Sequence, residues 1–121
     1  MQGLQMNYLN NLADSLHATA KTKGFWNKVY KHSEETPVQD IDFMLAKLAL
    51  VHSEVSEVLE AMRKQMGEEK IVEELVDIFI RLMDFYAGAK ATGWVTSSFD
   101  EILEKKVGIN KERPPMHGNL A

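Results

Sequence analysis

Apolar positions recur at helical rather than alternating spacing along most of this chain. Leu4, Tyr8, Leu9, Leu12 and Leu16 fall three or four residues apart, which predicts a first helix from about Leu4 to Lys21, stopped by Gly24. A polar connection, KHSEETP, follows. The stretch TPVQ (36–39) reads as a helix start: Thr36 as the cap, Pro37 at the first helical position and Gln39 closing a capping box. A second helix is expected from there to about Met66, with a break near its start allowed by its length, and Gly67 is expected to end it. A third covers roughly Glu68 to Ala89. SFDE (98–101) is a second capping box and opens a fourth helix that fades before Pro114.

The pattern breaks its own rule at two acids. At about 100° per residue, taking Glu54 as zero, Val58 lies at about 40°, Val51 at about 60° and Leu50 at about 320°, so Glu54 is flanked by apolar side chains. Glu57, at about 300°, takes the edge of the stripe, and Glu60, at about 240°, sits on the wet face with Ser53, Ser56 and Lys64. The third helix repeats this. With Glu74 at zero, Ile78 lies at about 40° and Phe85 at about 20°, and Asp77 takes the edge at about 300°. Two helices thus carry acid pairs spaced i, i+3, and a turn at Gly67 can fold them face to face.

Ionised carboxylates are expensive to bury without partners, and facing acids raise one another's pKa values. A hard divalent cation removes the conflict; Mg²⁺ prefers carboxylate and phosphate oxygens. The alternative is ordinary surface acids, or acids salt-bridged to Lys47 and Arg81.

Composition narrows the function classes. The chain has 121 residues and reads as one domain, 1–121, with 45% apolar and 26% charged residues. With no cysteine, disulfides, thiolate metal sites and thiol nucleophiles are excluded. There is no signal-like start and no run of about 18 apolar residues, so a cytoplasmic protein without a membrane partner is expected. The net charge of −4 argues against a nucleic-acid partner and suits a protein that holds cations.

SEVSEVLEAM followed by EELVDIF resembles the MazG-like nucleoside triphosphate pyrophosphohydrolases, within the all-α NTP pyrophosphatase superfamily. The family hallmark is E-x-x-E, a spacer, then E-x-x-D, matched by Glu54, Glu57, Glu74 and Asp77. KGFW, KLALVHSEVSEVLEA and KVGINKERPPMHG extend the likeness over most of the chain. The resemblance implies an all-α, four-helix bundle-like fold, assembled as a homodimer or homotetramer. It implies Mg²⁺, with Mn²⁺ as a substitute, at those four acids as metal-binding and catalytic residues. It also implies hydrolysis of an NTP or dNTP substrate between the α- and β-phosphates, in house-cleaning or pool control. A phosphoribosyl-ATP pyrophosphohydrolase relative and a non-catalytic helical interaction module are the rival readings.

Lys106, Asn110 and Arg113, spaced i, i+4, i+7, share one helix face and can bind phosphate, a reading the family's K-x-x-x-N motif also implies. Their alternative is a solvated face whose cations suit the end of a helix. Trp26 is a candidate for stacking on a base, and otherwise a packing lid. His52 falls away from the acids. A di-iron bundle would add Glu-x-x-His, and no His lies three residues after any of the four acids. The third helix carries a second apolar stripe, Val76, Ile80 and Met83, expected to meet either a partner subunit or the first or fourth helix of the same chain.

Overall fold

A computed structural model describes residues 7–30 and 37–115. They form four helices, α1 (Tyr8–Thr22), α2 (Ile41–Arg63), α3 (Glu68–Ala91) and α4 (Phe99–Glu112), and no strand occurs among them. The all-α expectation holds. Leu4 and Thr36 lie outside the described residues.

The helix ends explain the boundaries. After α1, Gly24 sits at φ +87°, its N–H donating to the Lys21 carbonyl at 3.0 Å and the Phe25 N–H to the Ala20 carbonyl at 3.1 Å. That paired pattern is the Schellman stop, and it needs a left-handed residue. The expected stop of α2 at Gly67 is corrected. The helix ends at Arg63, and Gln65 takes the left-handed position at φ 51°, with the same two bonds from Gln65 and Met66 to Met62 and Ala61. Gly67 is instead the first residue of the α3 entry.

The start of α2 also differs from expectation. Pro37 and Gln39 precede the helix, and Asp40 caps it by accepting the Phe43 N–H at 3.0 Å. Asp and Thr are comparable caps, so tertiary contacts decide between them. Gln39 is drawn off to the Thr92 carbonyl, to which its Nε2 donates at 2.9 Å. At α4 the expected cap forms: Ser98 Oγ accepts the Glu101 N–H at 3.2 Å.

α3 is the central element, packed on α2 along one side and α1 along another. Small residues let α1 and α3 approach closely: Ala13 and Ala87 are buried together with Met83, and Leu9, Leu16, Leu82, Tyr86 and Phe99 close around them. A second cluster forms where the chain leaving α1 turns back. There Trp26 and Val29 are buried against Met44 and Ala89, with Phe43, Tyr30 and Phe85 beside them. Truncating a buried Trp to Ala costs about 3–5 kcal/mol, so this loop is part of the core.

α4 packs on α1 through its first turn. Asp100, buried, accepts the N–H groups of Leu9 at 3.2 Å and Asn10 at 2.8 Å. The N-cap of α1, Asn7, makes no side-chain capping bond, so the acid of α4 satisfies those donors instead. Asn10 returns the contact, its Nδ2 donating to Ser98 Oγ at 2.8 Å and its Oδ1 accepting the Phe99 N–H at 3.0 Å.

Candidate functional site

The long α2–α3 contact brings the two acid pairs together. Carboxylate oxygens of Glu54, Glu74 and Asp77 all lie within 4.8 Å of one another. The graded burial follows the helical wheel: Glu74 is buried and Glu54 half-buried, while Glu57, Asp77 and Glu60 are exposed. Glu57 is not in the close trio, though its charge acts on Glu74. Glu60 pairs outward with Arg63 at 3.6 Å and Lys64 at 3.5 Å.

Electrostatically the trio is strained. Burial pushes the Glu74 carboxyl above the usual carboxylate range; Lys70, 3.7 Å away, pulls it down, and the hydrogen bond with Asp77 and the charges of Asp77 and Glu57 raise it again. Arg81 Nε donates to Glu54 Oε1 at 2.8 Å. The ion-pair alternative therefore holds for Glu54 and Arg81. It does not hold for Lys47, whose ammonium lies over the Trp26 ring at 4.9 Å and the Phe43 ring at 5.3 Å. Burial lowers the Lys47 pKa, the negative charge of Asp84 opposes that, and Arg81 adds to it.

The three oxygens fit a hard divalent ion. Ligands on opposite sides of Mg²⁺, each about 2.1 Å away, are about 4.2 Å apart, so a small inward movement of the trio would close a shell around one. The rest of such a shell would come from waters and substrate oxygens.

Beside the acids lies a cavity of about 470 Å³ between α1 and α3. Glu54, Asp77 and Arg81 line one part of it, Leu16, Ala20 and Ile80 give it apolar walls, and Phe25, Lys23 and Asp84 also border it. Sequence reasoning missed Phe25 and Asp84. Phe25 is 60% exposed, an unusual position for an aromatic ring. Asp84 lies seven residues after Asp77, two helical turns on the same face, and that spacing was the available signal.

Trp26 requires a correction. It is fully buried, edge-on to His17 with ring centroids 4.6 Å apart, and its Nε1 donates to both Asp84 oxygens at 3.0 and 3.1 Å. No face of the ring is open to a base. Arg113 is corrected too: it is the C-cap of α4, in extended conformation, so it does not continue the helical face of Lys106 and Asn110. Lys106 and Asn110 are exposed on α4 and do not line the cavity. His52 is exposed, away from the trio.

The apolar stripe of α3 divides. Met83 is fully buried beneath α1, so the expectation that it contacts a partner is replaced by a contact within the chain. Val76 and Ile80 remain 48% and 40% exposed. No helix among the described residues is long and apolar enough to cross a membrane. Compared with known proteins, the chain matches no family model, no curated relative and no solved structure.

Proposed function

We propose that this chain is a divalent-metal-dependent nucleotide pyrophosphohydrolase that cleaves an NTP or dNTP at the α–β bond, giving NMP and pyrophosphate. The observation that carries the reading is the convergence of Glu54, Glu74 and Asp77, two of which, Glu54 and Asp77, line a cavity that Arg81 and Lys23 also border. The motif resemblance supplies the reaction. Mg²⁺ or Mn²⁺ held by the trio would neutralise phosphate charge and acidify a water. Glu74 is oriented by its burial, and Glu54 is held by Arg81 until an ion competes for it. Asp77 and Glu57 lie at the solvent edge, where a carboxylate is placed to take the proton of the attacking water. Arg81 suits a phosphate oxygen once Glu54 turns to the ion.

The same reading includes a homodimer or homotetramer. Leu59 and Met62 on α2, Val76 and Ile80 on α3, and Leu103 and Val107 on α4 are all exposed. Exposed apolar surface of this extent suits a contact with another subunit. Lys106 and Asn110 would then meet substrate from the partner's α4.

Incubation with Mg²⁺ and each NTP and dNTP, resolving NMP from NDP, tests the reaction. NMP with pyrophosphate is expected; NDP with orthophosphate overturns it. Glu74→Gln and Glu57→Gln should abolish turnover with helical content intact, whereas Glu60→Gln should be nearly silent. The Arg81–Glu54 ion pair favours a second reading, a non-catalytic module whose acids are neutralised internally. Turnover that requires Mg²⁺ excludes it.

A further inference from the structure

Among the described residues, Asp84 is the acid on the α1–α3 cavity that belongs neither to the trio nor to an Arg or Lys ion pair. Two residues hold its side chain. Trp26 Nε1 donates to both oxygens, at 3.0 Å to Oδ1 and 3.1 Å to Oδ2. His17 Nδ1 meets Oδ1 at 2.8 Å, and His17 Nε2 meets the Tyr30 hydroxyl at 2.9 Å. A carboxylate carries no hydrogen to give, so Nδ1 bears the proton and donates. In neutral His17, Nε2 then accepts from Tyr30. A carboxylate has about four acceptor positions; these contacts fill three and leave one on Oδ2, and Asp84 borders both the cavity and, beside it, the gap lined by Lys47 and Arg81.

The position matters as much as the chemistry. Asp84 stands seven residues beyond Asp77 on one face of α3, about 10 Å along the axis. That is comparable to the span of a nucleotide from its phosphates to the far edge of its base. Between the two acids the cavity is walled by Ile80 and Leu16, and Phe25 borders it with an exposed ring.

We propose that this cavity seats the base of the nucleotide, with Phe25 against its face and the open acceptor of Asp84 selecting a base that carries an exocyclic amino group. This rests on the pyrophosphohydrolase reading above and adds the substrate class. A single anionic acceptor takes an N–H from the amino group of cytosine or adenine. It repels carbonyl oxygens, two of which flank the N3–H of uracil and thymine and one of which adjoins the N1–H of hypoxanthine. Guanine also carries an exocyclic amino group, and its two adjacent donors would have to share the one free acceptor position.

The test compares pairs in which a carbonyl replaces the amino group and the adjacent ring nitrogen gains a hydrogen: CTP against UTP, and ATP against ITP, with Mg²⁺. A hydrogen bond to a charged group is worth about 1.5–3 kcal/mol, so the amino base should lead by roughly 10- to 100-fold in kcat/KM. In Asp84→Asn the two donors on Oδ1 hold the amide oxygen there and turn its NH2 to the free position, so the amino preference should be lost or reversed, each ratio falling to about one or below. Phe25→Ala, at an exposed site that leaves the core intact, should raise KM for both members of a pair and leave their ratio unchanged. Calorimetric binding of CMP and UMP gives the same comparison without turnover. Hydrolysis of both members of each pair at equal kcat/KM by the unaltered protein overturns the inference while the reaction stands. An amino preference that survives in Asp84→Asn overturns the role of Asp84. Neither turnover nor binding of any nucleotide overturns both. If Asp84→Asn does not fold, the ratios of the unaltered protein and of Phe25→Ala still decide.

Discussion

The indole of Trp26 lies directly on the Cα of Gly88, in the space a side chain at 88 would occupy. Gly88 is buried in the interior of α3. A glycine there weakens the helix by about 1 kcal/mol relative to alanine, and close ring packing is what it allows in return. The same contact fixes the indole N–H on Asp84.

Gly88→Ala therefore separates helix propensity from packing. Propensity alone predicts a gain of about 1 kcal/mol. The added Cβ would overlap the six-membered ring, and overpacking typically costs about 1–3 kcal/mol or more. We expect a net loss of stability in denaturant titration. In a Trp26→Phe background the same change should cost less, a coupling that a double-mutant cycle measures.

Asp100→Ala leaves the Leu9 and Asn10 N–H groups without their acceptor. Loss of a cap costs about 1–2 kcal/mol, a drop of several degrees in Tm. Asp100→Asn should recover part of it. Asp14→Ala breaks only the exposed pair with Lys90 at 3.3 Å, and should change stability by less than about 0.5 kcal/mol.

Glu74 gives a pH dependence of known sign. Its folded-state pKa lies above its unfolded value, so between the two the folded state binds more protons. Stability of the metal-free protein should fall as pH rises through this window and recover as pH is lowered towards the ordinary glutamate pKa. Above the window the penalty is fully present. Glu74→Gln should flatten the profile. Because the ion requires the carboxylate, Mg²⁺ affinity should rise with pH over the same window, and calorimetry at several pH values reads both the affinity and the protons released.

The exposed pair Val76 and Ile80 predicts assembly. Light scattering at micromolar concentration should give a multiple of the 13.8 kDa chain mass. Ile80→Glu should dissociate or unfold the assembly, by leaving a charge unpaired at the contact. A stable, active species at the chain mass would contradict it.

The acid positions were legible because helical periodicity alone separates Glu54 and Glu74 from Glu60, and long regular helices keep that register. The α2 start was misread because TPVQ and Asp40 offer competing caps within a few residues, and Gln39 is claimed by Thr92 across the fold. The α2 stop was misread because Gln65 adopts a backbone conformation that sequence assigns to glycine. Trp26 was misread for a different reason. A loop aromatic looks alike whether it faces solvent or a cavity, and what decides it is the smallness of Gly88, far away along the chain on α3. Asp84 is equally non-local, since its anchors His17, Tyr30 and Trp26 come from α1 and the loop after it.

α4 behaves as a cantilever. Its first turn is clamped by Asp100, Ser98 and Phe99, while every residue from Glu101 to Pro115 is exposed. The beam is about 21 Å long at about 1.5 Å per residue. A helix of this length standing in water is marginal without support, so its far half gains rigidity only from whatever it leans on. Anything that grips Lys106 or Asn110 acts on the clamp through a long arm. The clamp is the carboxylate that also closes the first turn of α1, so a load at the tip is delivered to the opening turn of the helix that walls the cavity.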